Sequence, residues 1–196
     1  MPGTRAGMPA LVILAAGSGN RAGGPKAWIP FQGSTWLEHQ LEVLPPRFFA
    51  TVHVLISEVP ARAPKLPVGT TYLLNPRPEL GPFHSIQLGL AGLADMPAVF
   101  VLPVDVPVAL SETFRALTLA LGQAWAAIPT FEGRGGHPVA LSPMACADIL
   151  AADPTLPGSR LDFWMRERRA SVERVGVSDS RVIENFNLAS DFSPRG

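Results

Sequence analysis

The sequence contains a single cysteine in 196 residues. Cys146 by itself can neither close an internal disulfide nor build a thiolate zinc site, and a lone thiol suits a reducing cytoplasm. Net charge is absent as well, since sixteen Lys and Arg stand against sixteen Asp and Glu. That balance argues against a protein that coats nucleic acid or an acidic membrane through bulk electrostatics, so any anion must be held locally. No apolar run approaches the ~20 residues needed to span a bilayer. The run at residues 10–16 follows Arg5 and ends in small residues, but it is short for a signal segment and reads as a buried strand. Interdomain linkers and internal repeats are missing too. The 18 glycines and 21 prolines fall below the roughly 25–30% of a low-complexity chain, so they are expected to form stiff turns.

What is present is a chain that is 47% hydrophobic and 16% charged, enough apolar material for one sizeable core. One domain is expected over residues 9–193, with tails at 1–8 and 194–196. Apolar runs bounded by turn residues predict strands at 10–15, 51–57, 70–74 and 98–103, with further candidates at 126–130, 137–142 and 171–177. Helix-period segments lie between several of them. Leu37, Leu41 and Leu44 follow Ser34 as N-cap, Ile86, Leu90 and Leu93 repeat the spacing, and Phe114, Leu117 and Leu121 do so behind Ser111. Alternating strands and helices, with strands such as residues 98–102 apolar on both faces, point to an α/β fold: a mostly parallel central sheet with helices on both sides. In such sheets ligands bind beyond the carboxyl ends of the strands.

After the first strand comes Gly17-Ser18-Gly19-Asn20-Arg21-Ala22-Gly23-Gly24-Pro25-Lys26. A backbone this rich in glycine can turn its N–H groups inward and cradle phosphate oxygens. Arg21 and Lys26 add a planar fork and a point charge for the same anion. A Walker loop is excluded, because Pro25 precedes the lysine and Ala27 follows it. Gly17, Gly19 and Ala22 satisfy the dinucleotide fingerprint, but that motif needs a helix opening at the loop, and Gly23-Gly24-Pro25 would break it. After the strand at 98–103, Asp105 stands between Pro103 and Pro107, at the sheet edge where a magnesium ligand is useful.

The segment from Leu14 to Lys26 resembles the signature of nucleotidyltransferases that join a nucleoside monophosphate to a phosphorylated acceptor and release pyrophosphate, especially the MobA-like group that makes dinucleotide forms of the molybdenum cofactor. Further blocks match in the same order: Asn75 with Pro78, Gly81, Ser85 and Gly89-Leu90; Pro103 to Pro107; Gly136-His137-Pro138-Val139; and Asn185-Phe186-Asn187 with Asp191-Phe192. The resemblance implies a three-layer Rossmann-like nucleotidyltransferase fold and a Mg²⁺-dependent enzyme. It implies nucleotide binding by Leu14, Ala15, Ala16, Gly17, Ser18, Gly19, Arg21, Lys26, Asn75, Gly81 and Ser85, with Arg21, Lys26 and Asp105 catalytic. Acceptor binding falls to Gly136, His137 and Pro138, and the metal to Asp105 and Asn187. Ala15-Ala16-Gly17 resembles the cytidylyl form of the first block, so CTP is the expected nucleotide and molybdopterin the expected acceptor.

The last block departs from the family, with Leu188-Ala189 where Thr-Pro is usual, and Ala22 replaces a common Met. If those residues displace the backbone, Asn187 only caps or packs. Guanylyl transfer, cytidylyl transfer to a sugar or isoprenoid-precursor phosphate, and a non-catalytic nucleotide-binding module are the alternatives. Met144, Trp125 and Trp164 are expected in the core or at a subunit contact, and Arg166-Glu167-Arg168-Arg169 on a solvated helix face. His39, His53 and His84 have neither metal-ligand spacing nor a paired acid and receive no catalytic role.

Overall fold

Strand β1 (Ala10–Leu14) is the one around which the sheet is built. In the computed structural model, which describes residues 7–17, 19, 24–60, 64, 66–93 and 95–192, Ala10, Leu11, Val12 and Ile13 have no exposed surface. A strand apolar on both faces needs cover on both. On one side β1 pairs in parallel with β4 (Thr51–Ile56), which pairs in parallel with β5 (Thr70–Leu74). On the other it pairs in parallel with β6 (Val99–Pro103). The sheet continues through β9 (Val139–Leu141) and β7 (Ala126–Phe131) to β10 (Val172–Gly176), and β8 (Arg134–Gly135) pairs with β7. Strand β9 runs antiparallel to both neighbours, because β7 first folds back through a tight turn at Glu132-Gly133, both with positive φ, into β8.

The two faces of β1 sort the helices. Leu11 and Ile13 join a core with Trp36 and Leu37 of α1 (Trp36–Glu42) and Phe114 and Leu117 of α3 (Ser111–Leu121). Ala10 and Val12 join a second core with Ile86 and Leu90 of α2 (Gly81–Leu90) and Ile149 of α4 (Pro143–Ala151). The result is the three-layer α/β architecture expected from the alternation. Helix α5 (Leu161–Glu167) buries no residue completely and leans on the second core through Leu161, Trp164 and Met165. Among the described residues no helix is long and apolar enough to cross a membrane.

Several local expectations need correction. Helix α1 is capped by Thr35, whose hydroxyl accepts from the Glu38 N–H while Glu38 accepts from the Thr35 N–H. Ser34 lies instead in the short hairpin of β2 (Pro30–Phe31) and β3 (Ser34–Thr35). Ser111 does not cap α3. Leu110 is the N-cap residue and no side chain caps the helix, while Asp179 tethers its start from a distant loop by accepting the Leu110 N–H at 2.6 Å and the Thr113 hydroxyl at 3.3 Å. Met144 is 52% exposed and belongs to neither core. Arg168 is not merely solvated: its guanidinium lies 4.5 Å from the Trp164 ring centre and 5.2 Å from that of Trp125, and 3.7 Å from Asp148. His39 packs against Phe31 and Trp36, and His53 Nδ1 lies 2.8 Å from the Gly89 carbonyl.

The first core depends on an aromatic cluster in which the Phe114 ring centre lies 5.3 Å from Phe49, 5.2 Å from Phe100 and 5.7 Å from Phe48. Phe114 is fully buried, so Phe114→Ala is expected to cost about 3–5 kcal/mol, read as a lower urea midpoint. Burial pushes the Cys146 thiol up to about 12. The native protein is therefore expected to leave Ellman's reagent unreacted at pH 8, with labelling appearing only on unfolding.

Candidate active site

The register of the central strands sets the site. Leu14, the last residue of β1, stands opposite Pro103, the last of β6, and the Val104 N–H donates to the Leu14 carbonyl at 3.0 Å. The glycine-rich loop that leaves β1 and the Asp105 turn that leaves β6 therefore start side by side at the carboxyl edge of the sheet. Within the loop, Gly19 adopts φ +60 and a Cβ there would fall 1.8 Å from the Gly24 carbonyl oxygen, so the loop closes on itself only with glycine. Ser18 and Arg21 lie outside the described residues.

Lys26 follows Pro25 and opens a single 3-10 turn, Lys26–Trp28. No α-helix begins there, as the proline predicted, and the dinucleotide reading finds no support. From that turn the Lys26 ammonium donates to Asp105 Oδ2 at 2.9 Å and to Asn187 Oδ1 at 2.9 Å. The ion pair is partly buried, with side-chain exposures of 14% for Lys26 and 28% for Asp105. Three side chains that are 79 and 161 residues apart along the chain thus meet at one point.

Asp105 is held from below by two residues that periodicity did not flag. Gln40 is 1% exposed. Its amide nitrogen donates to the carbonyls of Val106 at 2.7 Å and Val104 at 3.3 Å, and its oxygen accepts the Val108 N–H at 2.9 Å. The Trp36 indole N–H donates to the same Val104 carbonyl at 2.5 Å. A buried glutamine on the apolar face of α1 was the one available signal, because such a group must find partners. From above, the Phe186 N–H donates to the Asp105 carbonyl at 2.7 Å, and its ring stacks on Trp36 at 4.8 Å.

Asn187 keeps its place despite Leu188-Ala189. Phe186 and Phe192 pack on Trp36, and the Asp191 carboxylate accepts the N–H groups of Asn187 at 2.7 Å and Leu188 at 2.8 Å. These contacts fix the backbone on either side of the altered pair, so the departure does not carry the amide away.

Next to this corner opens a cavity of about 880 Å³. Leu14, Gly81, Gly136 and His137 line it, along with Ile86, Val101 and Pro103 on the sheet side and residues 154–162 with Met165 across the mouth. Asn75 has no exposed surface, and its amide is spent on Ser85 Oγ at 2.9 Å and the Arg77 N–H at 2.8 Å. The pair braces the loop leading to Gly81. Pro138 is buried and does not line the cavity. The Gly136 N–H already donates to the Pro129 carbonyl at 2.9 Å. A Cβ on Gly136 would fall 2.1 Å from the Val182 carbonyl oxygen, so that glycine is there for close packing.

Among the described residues no group of three or more His, Cys, Asp or Glu could hold a metal by itself. Asp105 and Asn187 nevertheless fit a hard cation. Both present oxygen, and the Lys26 ammonium occupies the point on which their oxygens converge. One carboxylate and one amide leave room for phosphate oxygens and water, which is how magnesium is usually held.

The sequence model described as the MobA-like NTP transferase domain matches residues 11–172. The curated molybdenum cofactor guanylyltransferase of Acidiphilium cryptum is 35% identical over 92% of this chain and 90% of its own. Among solved structures, Rv0371c from Mycobacterium tuberculosis superposes with a TM-score of 0.75 at 19% identity, covering 95% of this chain and 96% of that one. A manganese complex of the same protein superposes with a TM-score of 0.62 at 16% identity, covering 87% and 88%. At these identities the two structures establish the fold alone.

His137 supplies a pH test of the site. Its backbone N–H donates to the Val182 carbonyl at 2.8 Å, while the ring Nδ1 is buried without a partner among the described residues. Burial pushes its pKa down, and the nearby Asp105 charge opposes the shift only in part. The unfolded imidazole titrates near 6.5. Below that pH the unfolded chain binds a proton that the folded one refuses, so this contribution to stability is complete above about pH 6.5 and is lost as pH falls toward the lower folded pKa. Urea unfolding at pH 7.5, 6.5 and 5.5 is expected to show declining stability, with a shallower decline in His137→Gln. Identical slopes in the two proteins would remove His137 as the cause.

Proposed function

The chain belongs to the MobA-like NTP transferase family, and we propose that it transfers a nucleoside monophosphate from a triphosphate to the phosphate of molybdopterin, releasing pyrophosphate. The observation that carries this reading is the meeting of Lys26, Asp105 and Asn187 beside the cavity at the carboxyl edge of β1 and β6. An acceptor phosphate oxygen attacks the α-phosphorus, the bond from that phosphorus to the β-phosphate oxygen breaks, and pyrophosphate leaves in line without a covalent enzyme intermediate. The protein's part is positioning and charge neutralisation, which dominate such transfers. Gly17, Gly19 and Lys26, with Ser18 and Arg21 of the same loop, hold the triphosphate. Asp105 and Asn187 would hold Mg²⁺, which when bound would supply positive charge to neutralise the phosphates. His137, neutral and on the cavity wall, faces the acceptor side.

For the base, guanine comes first. The relative similar over nearly its whole length is named a guanylyltransferase. The resemblance of Ala15-Ala16-Gly17 to the cytidylyl form favours CTP, through a methyl that would narrow a purine pocket. Ala15 and Ala16 are 3% and 7% exposed and do not line the cavity, so that steric argument gains no support from the packing.

Calorimetry with GTP, CTP, UTP, ATP and NAD, each with Mg²⁺, tests the reading, followed by pyrophosphate release with molybdopterin. Selective GTP binding is the expected result, and selective CTP binding would move the assignment to the cytidylyl branch. Asp105→Ala is expected to lower turnover by ~10²–10³. Near-normal turnover in that variant, or tight NAD binding without triphosphate binding, would overturn the proposal.

A further inference from the structure

The Lys26 ammonium sits between the same two oxygens that a divalent cation would use, 2.9 Å from each. That arrangement has a consequence for the order of binding. One carboxylate and one neutral amide carry a single negative charge, enough to hold one ammonium but not an ammonium and a dication together at contact distance. Lysine and metal are therefore competitors for this corner. The lysine has the advantage while the protein is alone, because its ammonium is tethered and reaches the oxygens without loss of overall freedom. A triphosphate changes the balance: it brings several negative charges to the glycine-rich loop in which Lys26 is rooted. The flexible four-carbon stem of lysine allows its charge to swing to the phosphates while the backbone stays in the 3-10 turn.

We propose that Lys26 is an internal counter-ion that keeps divalent metal out of the Asp105–Asn187 corner until nucleotide phosphates draw its ammonium away. Metal and nucleotide binding are thereby coupled through one side chain, and the coupling is reciprocal. The inference rests on the metal reading given above and adds the event that opens the metal site. It also explains why the corner needs no further carboxylate: a second one would hold metal without substrate and weaken the coupling.

The test is titration of Mn²⁺ alone, followed by the electron paramagnetic resonance signal of the free ion, on the nucleotide-free protein. Lys26→Met keeps the stem and removes the charge, and Lys26→Gln provides a second neutral variant should the first fold poorly, which circular dichroism reports. Each neutral variant is expected to bind Mn²⁺ about tenfold more tightly than the unmodified protein, the scale of a charge-assisted hydrogen bond lost from the competitor. Adding Asp105→Asn to either should abolish the gain, and Lys26→Arg should keep metal out. Neutral variants that bind Mn²⁺ no better than the unmodified protein would overturn the proposal. A parallel titration with GTP or CTP separates the two readings. If Asp105-dependent Mn²⁺ binding appears with nucleotide while the neutral variants show no gain without it, the counter-ion role falls alone. If no Asp105-dependent binding appears in any protein, the metal reading falls with it.

Discussion

The parallel pairing of β1 between β4 and β6 is the constraint from which the rest of the molecule follows. It sets Leu14 beside Pro103, so two segments almost ninety residues apart leave the sheet at the same edge and in the same direction. Without that register the glycine-rich loop would have no anion partner opposite it, and Lys26 could not reach Asp105. The pairing is stable for an elementary reason: Leu11 and Ile13 bury into one core while Ala10 and Val12 bury into the other. A slip of one residue would exchange those faces and place each side chain in a core shaped for another.

A site at a sheet edge is assembled by loops, and loops need restraint if the side chains are to stay in place. Here the restraint comes from neighbouring secondary structure. Gln40 and Trp36 grip residues 104–108 from α1, and Phe186 closes over Asp105 from the carboxy-terminal segment. Trp36 is common to both supports, since it donates to Val104 with its indole nitrogen and carries Phe186 and Phe192 on its ring. One aromatic side chain therefore ties the Asp105 turn to the segment that brings Asn187. That shared anchor is why the two oxygens arrive together although they lie far apart along the chain.

The chain order of this site was legible where the physics is local. Apolar runs marked β1, β4, β5 and β6 to within a residue or so, and Pro25 told against a helix after the loop. The general behaviour of parallel sheets points to the residues that follow β1 and β6, and the fold brings those two segments out at one edge. What escaped was non-local. The start of α3 is tethered by Asp179, which no window around Ser111 contains, and Gln40 is invisible to a search for apolar spacing. Arg168 reads as solvated in the sequence because its ring partners are Trp164, a turn earlier, and Trp125, just before β7. The block that holds Asn75 and Ser85 resembles a binding loop, and no window on the sequence shows that the two side chains are buried against each other. In the last block, Phe186, Asp191 and Phe192 stand out in the sequence by resemblance alone. Their role as anchors is visible only once Trp36 is placed against them.

The choice of a neutral amide to grip the Asp105 turn has electrostatic meaning. A lysine or arginine at position 40 could also donate to the Val104 and Val106 carbonyls, but it would put a fixed positive charge under Asp105 and offset the attraction that holds Lys26. Glutamate would leave those carbonyls unmatched and add negative charge. Gln40 supplies two donations and one acceptance and leaves the charge of the corner to Asp105 and Lys26. In a protein with no net charge, the attraction for a polyanion has to be produced locally, by placing a few charges where water is partly excluded and interactions are strengthened. The apolar wall of the neighbouring cavity serves the same end, since it limits the solvent that would otherwise screen them.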